Sequence, residues 1–198
     1  YDYWSDTVRR SILVDSKADV LIYGMGELQI IELAEALDQN RFEESLPNIR
    51  GICYMSKEIP SVECVECPSF EEIKADKMAF ADAFRIQYDE QDPFYGRPIV
   101  QKHGDRYVVQ NVPALPLTQE QMDAAYDLPY TRKWHPSYDD KGGVPALSEV
   151  QFSLVSQRGC FGSCSFCAIT NHQGRIIQNR SHQSLIDEAK LMINMDGF

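Results

Sequence analysis

Apolar positions fall into short runs separated by turn-forming residues, and their spacing predicts alternating strands and helices. In ADVLIYGMGELQIIELAEAL, which begins at Ala18, Val20-Leu21-Ile22-Tyr23 is an apolar run of buried-strand type. Gly24 and Gly26 break it. Ile30, Leu33, Ala34 and Leu37 then recur at i, i+3, i+4 and i+7, which is one face of a helix. Residues 48–55 (NIRGICYM) read as the next strand. Ser69-Phe70-Glu71-Glu72 has capping-box spacing and predicts a long helix to about Tyr88, with Ile73, Ala81, Phe84 and Tyr88 on one side. PIVQK and RYVVQ flank His103-Gly104-Asp105 as a hairpin. Thr118-Gln119-Glu120-Gln121 can cap a short helix carrying Met122, Ala125 and Tyr126. Val150, Phe152 and Leu154 alternate with Gln151 and Ser153, which predicts a strand over about 149–156. Ser181 or Ser184 then opens a helix with Leu185, Ile186, Ala189, Met192 and Ile193 on one face.

This order of elements predicts an α/β fold with a Rossmann-like N-terminal domain over residues 1–92. Seven of the ten prolines lie between Pro93 and Pro145, so 93–147 reads as a proline-rich hairpin and linker region. Its stretch LPYTRKWHPSY is expected to lie extended, with Trp134 and His135 anchoring it by packing. Residues 148–198 read as the opening of a further domain. The chain lacks an initiator Met and stops just after a helical pattern, so it reads as a piece of a longer protein. The first residues have no apolar signal core, and no run reaches the roughly 18 apolar residues of a membrane span. A cytoplasmic protein that does not contact membrane is therefore expected.

Charge sharpens this picture. The 198 residues carry a net charge of −11, which argues against a nucleic-acid partner. Yet residues 151–186 contain no Asp or Glu and hold Arg158, Arg175 and Arg180. An anionic ligand at that one place fits better than a diffuse field. The six cysteines form two groups, Cys53, Cys64 and Cys67, then Cys160, Cys164 and Cys167. Clustering without a secretory signal favours reduced thiols and metal chemistry over disulfide staples.

Cys160-Phe161-Gly162-Ser163-Cys164-Ser165-Phe166-Cys167 is a C-x3-C-x2-C run placed between a predicted strand and a predicted helix. Thiolates hold iron–sulfur clusters, and a four-iron cube has four iron corners. Three cysteines on one loop can take three corners and leave the fourth iron free to bind a small molecule. Gly159 and Gly162 let the backbone turn tightly, and acid-free surroundings suit a negatively charged cluster. The same spacing also admits zinc held by Cys160, Cys164, Cys167 and His172, a Cys3His set in a non-catalytic interaction module.

The run, with aromatic Phe166 before its last cysteine, resembles the signature of radical S-adenosylmethionine (SAM) enzymes. SQRGCFGSCSFCAITNHQGRIIQNRS is similar to their YgiQ-like branch, as are YDYWSDTVRRSILVD, the GMGE turn, NVPALPLT and DLPYTRKWHPSY. The resemblance implies that Cys160, Cys164 and Cys167 ligate a [4Fe-4S] cluster and that Phe166 lies against the adenine of SAM. It implies reductive cleavage of SAM to a 5′-deoxyadenosyl radical, fed by an electron donor of reductase, flavodoxin or ferredoxin type, acting on a substrate that the resemblance does not name. Residues 148–198 would then be the first βα unit of a truncated radical SAM barrel. The Gly-Gly-Glu-like segment that such barrels use for the cofactor's amino group does not occur here, so this stretch alone is not expected to turn over.

Other features have plainer readings. Cys64-Val65-Glu66-Cys67 with Cys53 shows no fourth ligand at a useful distance, and ordinary free or buried thiols are expected. Gly24-Met25-Gly26-Glu27 stands where an anion or nucleotide docks in some folds, but a plain tight turn is the simpler reading. Arg158, Arg175 and Arg180 either meet the cofactor or substrate or pair with acids elsewhere. His172 and His182 read as polar contacts rather than ligands.

Overall fold

The computed structural model describes residues 1–198. In chain order its elements are α1 (Ile12–Ser16), β1 (Val20–Ile22), α2 (Glu27–Asp38), α3 (Phe42–Ser45), β2 (Ile52–Ser56), β3 (Val65–Cys67), α4 (Phe70–Ala75), α5 (Lys77–Asp89), β4 (Ile99–His103), β5 (Arg106–Gln110), α6 (Gln119–Tyr126), α7 (Leu147–Val150), β6 (Gln157–Arg158), α8 (Ile169–Gln173), β7 (Gln178–Asn179) and α9 (His182–Met192). Two compact units result. One comprises Tyr1–Pro116 with Ser165–Gly174, the other Leu117–Cys164 with Arg175–Phe198.

The first unit is built on a five-stranded sheet of order β1-β2-β5-β4-β3. Its hairpin is the predicted one, with His103 opposite Arg106 across Gly104-Asp105, and it places β5 at the centre of the sheet. Successive residues face opposite sides. Ile52, Tyr54, Val100 and Val109 pack with Leu33, Leu46 and Ile49 from the α2–α3 side. Cys53 and Val108 pack with Leu13 of α1, while Cys67 and Ile99 pack with Ala83 of α5. Helices thus cover both faces of a mixed α/β layer structure.

The Rossmann-like expectation requires correction, because only β3 and β4 run parallel. β1 and β2 are antiparallel, as are β2 and β5, and β4 and β5. The path between β1 and β2 is the reason. After α2, the short α3 and a 3-10 turn over Leu46–Asn48 carry the chain back along the sheet. Gly51, just before β2, accepts a hydrogen bond from the Tyr23 N–H just past β1 (2.9 Å), so β2 begins where β1 ends.

Helix starts match the local signals better than helix faces do. Ser69 and Glu72 form the predicted capping box, but the helix breaks at extended Asp76, whose carboxylate accepts from the Met78 N–H (2.9 Å) and starts α5. Phe84 and Tyr88 are exposed there while Ala83 is buried. On α2 the buried positions are Gln29, Leu33 and Ala36; Ile30 and Leu37, expected in the core, are exposed. Gly26 lets the helix start against Ile22, where a Cβ would lie 2.6 Å from the Ile22 Cγ2.

In the second unit, Thr118 and Gln121 cap α6 reciprocally, and Met122 is fully buried. Trp134 anchors its segment as expected: its indole occupies the place where a Gly143 side chain would stand, and its Nε1–H donates to Asp139 Oδ1 (2.8 Å). The strand expected over 149–156 does not form. A helical turn, α7, ends at Val150, and only Gln157 and Arg158 pair, antiparallel to Asn179 and Gln178. Val150, Leu154 and Val155 lie exposed. Alternating apolar residues make a strand only where neighbouring strands take their backbone groups, and here none do. α9 starts at Ser181 but buries Ser184 and Met192, leaving Ile186 and Ile193 outside.

Candidate functional site

The cysteine run follows β6 directly. Gly159 is buried with φ 85°, a left-handed turn that suits glycine, and it delivers the chain to Cys160. Two sulfurs then flank Gly162: a Cβ there would lie 3.4 Å from Cys160 Sγ and 3.7 Å from Cys164 Sγ. The Gly162 N–H donates to Cys160 Sγ (3.4 Å), and the Cys164 thiol reaches the Gly162 carbonyl (3.9 Å). Ser163 between them takes a left-handed conformation with φ 47°. Cys160 and Cys164 belong to the second unit and Cys167 to the first. Cys160 and Cys167 are half-buried, Cys164 is exposed, and all six cysteines of the chain are free thiols. No three Cys, His, Asp or Glu side chains are gathered into one metal-binding group. Phe166 is 89% exposed.

The arginines divide. Arg180 is buried and committed to structure: it pairs with Glu188, donates to Ser184 Oγ (2.7 Å) and the Val155 carbonyl (3.2 Å), and lies 4.3 Å from the Tyr126 ring centroid. Glu188 also pairs with Arg132, whose backbone is left-handed at φ 51°. Arg158 lies 5.0 Å from the same Tyr126 centroid, and its Nε donates to the phenol oxygen (3.2 Å). Arg175 is exposed. His182 lines a cavity of about 460 Å³ with Gln119, Ser156, Asn179, Arg180, Ser181 and Leu185. His172 is exposed, and its backbone carbonyl comes within 3.4 Å of where a Gly24 Cβ would stand. The GMGE turn is thus packed against protein at its first glycine, as a plain turn would be.

The first cysteine group sits in the sheet. Burial pushes the Cys53 thiol up to about 12 and the Cys67 thiol to about 11, and raises Cys64 with help from Glu66. Cys53 and Cys67 line one cavity of about 410 Å³, separated by the width of β5 and β4. Sequence reasoning missed Tyr126 as a shared stacking surface and Glu188 as the partner of two arginines. Only the acid-free stretch after 150, which leaves its arginines to seek partners elsewhere, hinted at them.

The family model described as Radical SAM N-terminal matches residues 1–153. The chain belongs to the YgiQ-like radical SAM family. A UPF0313 protein of Clostridium botulinum (strain ATCC 19397 / Type A) is 54% identical over 199 residues, which covers 100% of this chain and 31% of that protein. A UPF0313 protein of Clostridium perfringens (strain 13 / Type A) is 50% identical over 200 residues, covering 100% and 30%. The chain therefore spans about a third of the length of these radical SAM relatives. No solved structure matches it. No helix is long and apolar enough to cross a membrane.

Proposed function

We propose that the chain carries the cofactor-binding opening of a radical SAM enzyme, with Cys160, Cys164 and Cys167 holding a [4Fe-4S] cluster and Phe166 lying against the adenine of SAM. The observation that carries this reading is the pair of sulfurs gathered around Gly162 with a backbone N–H aimed at one of them. Iron binds the thiolate form of cysteine, and backbone N–H donors to cluster sulfurs tune such centres. A Cβ at Gly162 would stand in van der Waals contact with both sulfurs, so the glycine keeps the space between them open. The donor set is all sulfur and no carboxylate lies in the surrounding stretch, so the residues present fit a cluster of net negative charge.

When bound, the cluster supplies the electron for reductive cleavage of SAM to a 5′-deoxyadenosyl radical. The chain's own contribution is to present three thiolates, to keep acids away, and to offer Phe166 as an aromatic surface. That ring is bare to solvent, an arrangement that costs free energy unless a flat partner covers it. Residues 148–198 belong in this reading to the start of the barrel domain, following an N-terminal domain and a proline-rich connection. In this reading the enzyme works in the cytoplasm on a substrate still to be identified, with an electron donor of reductase, flavodoxin or ferredoxin type.

Anaerobic reconstitution of the intact protein with iron and sulfide tests this. A brown protein with stoichiometric iron and sulfide that forms 5′-deoxyadenosine from SAM under reduction is expected. A colourless product that keeps one zinc overturns it in favour of the Cys3His reading with His172.

A further inference from the structure

The loop bearing Cys160 and Cys164 runs from β6 round to β7. β6 and β7 pair over two residues each, Gln157 with Asn179 and Arg158 with Gln178. A ladder that short does not hold closed the long excursion from 159 to 177. The bonds that do so run to α6 and the residues flanking it. On the entering arm, Arg158 lies 5.0 Å from the Tyr126 ring centroid and donates to its hydroxyl (3.2 Å). On the leaving arm, Gln178 Oε1 accepts from the Leu117 N–H (2.7 Å), and the Ser181 N–H donates to Asp123 Oδ1 (2.9 Å). Arg180 lies 4.3 Å from the same Tyr126 centroid, and it ties the two arms together. Its backbone N–H donates to the Ser156 carbonyl (3.1 Å) and its Nη1 to the Val155 carbonyl (3.2 Å).

One aromatic ring therefore serves two guanidiniums, one from each arm. The ring's electron-rich surface attracts both cations, and Glu188, Asp123 and Asp127 supply negative charge to Arg180. Only Gly159 separates Arg158 from Cys160. It is buried and held at φ 85°, so the position of Arg158 dictates where Cys160 emerges.

Resting on the cluster reading above, we propose that α6 is a splint for the cysteine loop and that Tyr126 is a positioning residue which sets Cys160 through Arg158. α6 lies inside the family segment that ends at residue 153, whereas the cysteines lie beyond it. The N-terminal family segment would then contribute to cofactor retention without supplying a ligand.

The test uses the intact protein, reconstituted anaerobically with iron and sulfide, as wild type, Tyr126→Leu, Tyr126→Phe and Arg158→Gln. Tyr126→Leu removes both cation–ring contacts and should lose cluster iron to a chelator at least about fivefold faster, the scale of one such contact. Tyr126→Phe keeps the ring and should restore most of the wild-type rate, a rescue that general destabilisation would not give. Arg158→Gln removes the entering-arm contact with the ring and leaves that of Arg180, and should fall between them; it also serves if Tyr126→Leu does not fold. Maleimide labelling of the iron-free proteins supplies an arm independent of the cluster, in which Tyr126→Leu should raise the rate at Cys160 toward that at Cys164. Wild-type protein that gains no iron and sulfide defeats the cluster reading, and labelling still decides the splint. Wild-type chelation and labelling rates in Tyr126→Leu and Arg158→Gln would overturn the splint even with a cluster present.

Discussion

The two cysteine groups have equal numbers and opposite surroundings. Cys53 and Cys67 are buried in the strands of a sheet, packed against Leu13, Val108, Ala83 and Ile99, and their thiols are held protonated. Cys160 and Cys164 stand on an irregular loop with a glycine between them and a backbone N–H on one sulfur. The contrast separates cysteine as a small apolar core residue from cysteine left accessible on a turn, the setting a ligand needs. Spacing distinguishes the groups weakly, since both contain a C-x2-C pair; regular secondary structure distinguishes them strongly. A strand fixes its side chains toward a packed face, whereas a turn can aim several at one point.

The sharpest way to break the comparison is to exchange the groups' fates. Replacing Cys160, Cys164 and Cys167 by Ser should abolish iron and sulfide uptake, whereas Cys53→Ser, Cys64→Ser and Cys67→Ser together should leave both unchanged, as read by metal analysis and visible absorbance. Loss of about half the iron in the second variant would make the sheet cysteines ligands.

The next largest effect is chemical. At pH 8, thiols held at about 12 and about 11 are ionised only to about one part in ten thousand and one in a thousand, so alkylation of Cys53 and Cys67 should run roughly a hundredfold or more slower than that of exposed Cys164. The same shifts give a stability slope. Above about pH 9 the unfolded chain loses these protons before the folded one does, so the stabilisation present below pH 9 is lost between about 9 and 12. Alkaline denaturation should show this fall, and Cys53→Ala should flatten it.

Two smaller changes probe the ground on which the second group stands. Glu188→Ala leaves the fully buried Arg180 side chain without its carboxylate and should cost about 3–5 kcal/mol, measured by denaturant unfolding. Thr118→Ala removes the α6 cap and should cost about 1 kcal/mol by the same measurement.

Much of this was legible in sequence wherever the signal is local. Ser69 with Glu72, Thr118 with Gln121, and Ser181 announce helix starts because a cap needs only its own next turn. Gly104-Asp105 announces a hairpin for the same reason. Helix faces were harder to read: α2 carries two apolar stripes, and periodicity does not say which one the sheet receives. α9 turns inward around Glu188, a charged residue that hydrophobic spacing assigns to solvent. The antiparallel return of β2 depends on the path through α3, and the missing strand before β6 depends on neighbours, so neither is written in a local pattern. Cys160, Cys164 and Cys167, the proposed ligands, stood out by spacing. Tyr126, which lies 32 positions from Arg158, carried no mark of its own.

The sheet closes on either side with β1 and β3, each three residues long. A border so brief exposes too little unsatisfied backbone to template a strand from another molecule. Concentrated samples should therefore resist cross-β association, and any self-assembly of this chain should proceed through side chains instead.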